Sequence, residues 1–203
     1  MKQEERRQQT IRLLLDATKE LIGAKGCHSI TMKDIMDQSG LSKGAIFHYV
    51  KSKDEIFVWV LQDRLEETNE RFMNEVEKGR RSFEEPMWKI SESIAAYEKA
   101  DVTNKVLMYL LGKEEPFIAK ALKQYYERSV FLSRQWIEIG QNSGVIPESV
   151  DKDKTAEMFV LMTFALRIRS SIPYAPTGFT AHDFSSFISD ILYPSKKEKK
   201  GEI

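Results

Sequence analysis

The residue types that most often carry covalent chemistry are sparse in this chain and do not gather. His28, His48 and His182 fall in separate segments, and the single cysteine, Cys27, stands beside His28. They form no H-E-x-x-H pair or nucleophile elbow, and the chain has no glycine-rich phosphate loop. Neither catalysis nor a metal site is expected, and no cofactor is called for. A lone cysteine also makes no internal disulfide and suits a reducing compartment. A different chemistry is concentrated in TMKDIMDQSGLSKGAIFHYVKSKDEI, residues 31–56. There, lysines, small residues and aromatics are set on a regular apolar rhythm. Lys43 can reach a phosphate or a guanine edge. Gly44 and Ala45 let a backbone approach closely, and the amides at Ser42 and Lys43 favour an anion. Phe47 and His48 can meet sugar, phosphate or a thymine methyl, and Lys53 adds a flanking phosphate contact.

Helices must position these groups. From Glu4 to Lys25, Ile11, Leu14, Leu15, Leu21 and Ile22 recur at the three-four spacing of an amphipathic helix, and Gly26 is placed to end it. Thr31 and Asp34 approach a capping box for a second helix, to about Ser39, with Ile35, Met32 and Met36 on its apolar side. Gly40 breaks it, Leu41 is a buried anchor, and Ser42 caps a third helix over Lys43 to Val50. Ile46, Tyr49 and Val50 are its inward residues. Ser52 and Glu55 open a fourth helix, striped by Ile56, Phe57, Val60, Leu61, Leu65, Phe72 and Val76. Two short helices joined by a glycine-bearing turn, after a longer one, are the sequence form of a helix-turn-helix.

The rhythm breaks at KGRRSFEEP and then remains helical. Met87, Ile90, Ile94 and Tyr97 mark one helix, and Val106 to Leu111 a short one. Ile118 to Ile139 marks a long one, closed by NSGVIP. The segment from Thr155 to Ser170 is apolar almost all round, and Phe184 to Leu192 forms a last amphipathic helix. The expected fold is all-α, with about nine helices. Residues 1–53 are expected as the DNA-binding domain and 54–203 as a second helical domain, with 54–78 connecting and 195–203 a frayed tail.

The totals set bounds. The 203 residues carry 31 basic and 31 acidic side chains, so the formal net charge is zero. A protein coated with nucleic acid over its whole surface is excluded, while a local basic face is not. The first twenty residues are charged throughout, and the most apolar run, Met158 to Leu166, is far shorter than the ~20 residues of a membrane span. A soluble, cytoplasmic protein is expected. The neutral balance also suits an alternative, a helical protein-interaction module that does not bind DNA.

The segment from Thr31 to Ile56 resembles the N-terminal signature of the TetR family of bacterial transcriptional regulators. The matching features are the threonine before the second helix, the Gly-Leu-Ser-Lys-Gly turn, FHYV and the following KSKDE. The resemblance covers about residues 11–61, and beyond them it extends only to helical layout. It implies phosphate contacts from Thr31, Tyr49 and Lys53, and base or groove contacts from Lys33, Lys43, Gly44, Ala45, Phe47 and His48. Phe47 departs from the tyrosine frequent in the family and has no hydroxyl to donate. The resemblance further implies a homodimer, most often a repressor, released from a palindromic operator by a small-molecule effector. The last two helices of each subunit would then pair in a four-helix bundle. Phe164, Phe184, Phe187, Ile188 and Ile191 are the interface candidates, although an all-round apolar helix is also what an ordinary buried helix looks like. Trp88, Tyr97, Met108, Tyr125, Phe159 and Met162 suit a pocket for a largely apolar ligand, and equally a core. Arg167 could hold a ligand carboxylate, pair with an acidic neighbour, or reach solvent.

Overall fold

A computed structural model describes residues 2–77, 101–172 and 178–192. The expected helix around Met87 to Tyr97, with Trp88 and Tyr97, lies outside the described residues. Among those described there are eight α-helices, one turn of 3-10 helix and no strand. They are α1 (Lys2–Lys25), the 3-10 turn (Cys27–Ser29), α2 (Met32–Ser39), α3 (Lys43–Phe47), α4 (Lys53–Glu77), α5 (Val102–Leu111), α6 (Pro116–Asn142), α7 (Lys152–Ser170) and α8 (Ala181–Leu192).

The described chain forms two compact units. Of the described residues, the first takes in 2–68 and 101–127, the second 69–77, 128–172 and 178–192. These are divisions by packing, whereas the boundary after residue 53 expected from the sequence is a functional one.

In the first unit, α1 packs on α2 and α5, and the 3-10 turn packs on α1 and α5. Leu14, Leu15, Leu21 and Ile22 of α1 are buried, as their spacing requires. Thr18 lies on the same face, and its hydroxyl donates to the Leu14 carbonyl at 2.7 Å, so a polar group is accommodated in the core. Ile30, Ile35, Ile46, Val50, Ile56, Phe57, Val60, Leu61, Val106, Leu107, Leu110 and Ile118 are also buried. Burying each large aliphatic side chain contributes about 1.5–3 kcal/mol before entropy is counted. Leu41, expected as a buried anchor, is only half-buried.

The head is shaped by its helix ends. Gly26 has φ 73° and follows α1, while Gly40, with φ 68°, ends α2 and donates its N–H to the Met36 carbonyl. Thr31 and Asp34 form the full capping box: the Thr31 hydroxyl accepts from the Asp34 N–H, and the Asp34 carboxylate accepts from the Thr31 N–H at 2.8 Å. Lys25 adds an ion pair to Asp34 at 2.8 Å. The Lys25 ammonium, then the Thr31 hydroxyl and amide, hold the Asp34 carboxyl well below the usual carboxylate range. At α4 the capping box is displaced by one residue. Ser52 accepts from the Glu55 N–H, but Glu55 accepts from the Lys51 N–H instead of that of Ser52. The third helix is shorter than expected, ending at Phe47. The Ile46 carbonyl accepts from both Tyr49 and Val50, which tightens the last turn.

In the second unit, Phe72, Ile137, Ile146, Val150, Ala156, Phe184, Ile188 and Leu192 form the core. Trp136 stacks on Phe72 with 4.5 Å between ring centroids, and its Nε1–H donates to Asn69 at 2.9 Å. The N–H groups of Val145 and Ile146 both reach the Gly140 carbonyl, closing the α6–α7 turn and turning Ile146 into the core. Asp151 caps α7 through the N–H groups of Asp153 and Lys154.

Two outcomes follow from the ends of α2. Gly40→Ala should cost about 1–2 kcal/mol in a urea titration, because a Cβ at Gly40 meets no atom and only the left-handed backbone is penalised. Asp34→Asn should lower the melting temperature at neutral pH. A carboxyl whose pKa is depressed on folding stabilises above its unfolded value, about pH 4, and that contribution is lost as the pH falls below it. The variant should therefore show a flatter acid-side dependence of melting temperature than the wild type, and an unchanged one would refute the coupling.

Candidate nucleic-acid interface

The α2–α3 pair sorts its residues by side. Ile35, Ile46 and Val50 are buried, while Thr31, Lys33, Ser42, Lys43, Gly44, Phe47 and His48 are exposed, and Ala45 and Tyr49 are half-buried. The exposed set occupies the outer side of α2's first turn and of α3. Ser42 caps α3 by accepting from the Ala45 N–H at 3.2 Å. With only five residues α3 has a small dipole. The attraction for an anion therefore rests on the Lys43 charge more than on the helix terminus.

A Cβ at Gly44 would meet nothing within 4 Å, so the fold itself leaves this position open. The bare backbone there allows close approach from outside. Phe47 is 42% exposed, and the Lys43 ammonium lies 5.7 Å from its centroid. His48 and Tyr49 meet edge to face at 4.9 Å. Tyr49, expected as an inward residue, thus rests partly on the surface beside His48.

Two expected contacts have other partners. The Thr31 hydroxyl serves the α2 cap, although the residue is exposed. Lys53 donates to the Ile30 carbonyl at 2.8 Å and to the Cys27 carbonyl at 3.4 Å. Its neighbour Asp54 accepts from the Tyr109 hydroxyl at 2.8 Å and pairs with Lys113 at 3.4 Å. Burial holds the Tyr109 phenol above its usual pKa, which keeps it a proton donor. His28 meets the Tyr109 ring edge to face at 4.9 Å. Burial likewise pushes the Cys27 thiol up to about 11, against the pull of Lys105 and Lys53, so it is no nucleophile at neutral pH.

Beside this corner, Lys19 pairs with Asp63 and with Glu67, the latter at 2.6 Å, and Arg64 reaches Glu67 at 2.7 Å. Burial works against the Lys19 charge, yet the two carboxylates hold its pKa above the usual value. Sequence reasoning missed Lys105, Asp54, Tyr109 and Lys113 as parts of the head. Lys105 contacts residues more than eighty positions away, and no local pattern announces such a pairing.

The ligand candidates are distributed over both units. Met108 is half-buried and Tyr125 buried in the first unit. In the second, Phe159 and Met162 pack on the core, and Arg167 is buried, with its carbonyl accepting from the Ser170 and Ser171 hydroxyls. Burial excludes the solvent-reaching alternative for Arg167. Among the interface candidates, Phe184 and Ile188 are core residues of their own unit, 3% and 1% exposed, and so are not available to a partner. Phe164 and Ile191 are half-buried, and Phe187 is exposed. The α7 residues Leu161, Ala165 and Ile168, with Ile172 just beyond the helix, form an exposed apolar stripe that is absent from the interface candidates read from the sequence.

The profile of the bacterial regulatory proteins of the tetR family matches residues 14–59. A curated relative, the uncharacterized HTH-type transcriptional regulator YfiR of Bacillus subtilis (strain 168), is 35% identical over 54 residues. That match spans 27% of this chain and 26% of the relative. Among solved structures, GusR of Salmonella enterica superposes with a TM-score of 0.61 at 21% identity, covering 90% of this chain and 95% of its own. FadR of Thermus thermophilus, a TetR-family transcriptional repressor in complex with lauroyl-CoA, does so with a TM-score of 0.66 at 15% identity, covering 95% and 98%. The likeness of fold thus extends over most of the chain, while the family profile covers residues 14–59. Residues 14–59 thus match the N-terminal domain of the tetR family of bacterial regulatory proteins.

Proposed function

We propose that this protein is a cytoplasmic, homodimeric repressor that binds a palindromic operator through α3 and is released by a small, largely apolar ligand. Residues 1–53 form the DNA-binding domain in this reading, and residues 54–203 the ligand-binding and dimerisation domain. The observation that carries it is the exposed set on α3: Lys43, Gly44, Phe47 and His48 face outward while Ile46 and Val50 seal the inside. Lys43 meets phosphate or guanine, Phe47 a sugar or thymine methyl, and Gly44 and Ala45 allow the close approach. Thr31, Lys33, Ser42, His48 and Tyr49 complete the contact surface. Two copies of α3 would sit in successive major grooves about 34–36 Å apart.

The dimer is supported by the exposed apolar stripe of Leu161, Ala165, Ile168 and Ile172, with Phe187 exposed on α8, since apolar side chains gathered on one face suit an interface. Ligand release is supported by the fold shared with a regulator that holds lauroyl-CoA. Effector and operator would be coupled by ~1–3 kcal/mol, the usual range for allosteric pairs.

Lys43→Ala combined with Phe47→Ala should abolish the gel shift of an operator selected from random DNA while sedimentation still gives a dimer. Unchanged binding would remove α3 from the interface. A DNA affinity that barely responds to salt would instead favour the protein-interaction module, since phosphate contacts impose a steep response. Leu161→Glu with Ile168→Glu should convert the dimer to a monomer in analytical ultracentrifugation, with helical content retained. A persisting dimer would place the interface elsewhere.

A further inference from the structure

Lys53, at the start of α4, carries a charge that the family resemblance assigns to a DNA phosphate. Its ammonium donates to the carbonyls of Ile30, at 2.8 Å, and Cys27, at 3.4 Å. It also lies 5.9 Å and 5.6 Å from the ring centroids of Phe57 and Tyr109, both buried. From α5, the Lys105 ammonium donates to the Gly23 carbonyl at 2.8 Å and the Ile22 carbonyl at 3.3 Å. Two lysines from different helices therefore hold four main-chain carbonyls of one corner, residues 22–30. That corner ends α1 and leads directly into Thr31, the N-cap of α2.

We infer that Lys53 and Lys105 are positioning residues for operator binding: they fix the corner from which α2 and α3 extend, and Lys53 neutralises no phosphate. To reach DNA, the Lys53 ammonium would have to abandon both carbonyls and leave them without this donor. An ammonium has three N–H donors and no acceptor, so it can satisfy two carbonyls at once, as a neutral side chain cannot so readily. Its half-buried position beside two aromatic rings further favours the inward conformation.

This inference rests on the DNA-binding reading above, and salt dependence separates the two. Operator affinity would be measured across salt concentrations for the full-length wild type, Lys53→Met, Lys53→Gln and Lys105→Met. A phosphate contact contributes about 0.9 to the slope of log affinity against log salt. Lys53→Met and Lys105→Met should each weaken binding roughly tenfold with the wild-type slope, as a lost donor to buried carbonyls loosens the corner. Lys53→Gln, a neutral donor one bond shorter, should recover part of the loss. Circular dichroism at the assay temperature establishes that each variant is folded. Should Lys53→Met not fold, Lys53→Gln and Lys105→Met carry the comparison. A slope reduced by about 0.9 in the Lys53 variants would overturn the inference in favour of a phosphate contact. Unchanged affinity in both methionine variants would overturn it as well. A wild type that binds no DNA would overturn the DNA-binding reading itself, and is distinguished because every protein in the series is then silent.

Discussion

The corner between α1 and α2 is held by ammonium groups on main-chain carbonyls, and the reading head depends on it. A helix ends with carbonyls that have no partner within the helix, and they must find donors elsewhere. Gly26 donates its N–H to the Ile22 carbonyl and, with φ 73°, turns the chain out of the helix. Lys105 then reaches the Ile22 and Gly23 carbonyls, and Lys53 those of Cys27 and Ile30. These contacts tie the end of α1 to α4 and α5, so the helix-turn-helix is braced by two elements beyond it in sequence. The Asp54, Tyr109 and Lys113 cluster reinforces the same junction from the next residue of α4.

With that corner fixed, the two sides of the α2–α3 pair follow. The inner side is aliphatic and closed, with Ile35, Ile46 and Val50 buried against the rest of the first unit. The outer side retains features that the fold does not require: an exposed phenylalanine, an open glycine and a lysine over the aromatic ring. The Phe47 ring is 42% exposed and the Lys43 ammonium lies 5.7 Å from its centroid, so the two share the outer face. The neutral net charge is compatible with this, because attraction to a phosphate backbone is set by the local face.

The second unit uses its helices on more than one side. Along α7, Ala156 and Val160 are buried, while Leu161, Ala165 and Ile168 lie on the surface. The helix therefore lacks the one-sided pattern of a simple surface helix. On α8 the division is similar, with Phe184, Ile188 and Leu192 inside and Phe187 outside. Two apolar faces on one helix serve the unit's own core and leave a second apolar surface exposed.

Local chemistry alone determined the helices and their punctuation: the Leu14–Ile22 stripe, the Thr31–Asp34 box, the turn at Gly40 and the Ser42 cap could each be read from neighbouring residues. The outward set on α3 was legible for the same reason, since Ile46 and Val50 define the inside by spacing and the remaining positions follow. The end of α3 at Phe47 was not, because the last turn was decided by how the Ile46 carbonyl is shared. Nor was the direction of Lys53. A lysine beside a helix-turn-helix looks the same in sequence whether it faces a phosphate or a carbonyl, and only the approach of residues 27 and 30 resolves it. Phe184 and Phe187 were likewise equivalent as apolar residues of one helix, until packing placed the first in the core and the second at the surface. Spacing along a helix says which residues share a face. Which face is covered, and by what, depends on contacts between residues far apart in the chain, and only the tertiary structure decides those.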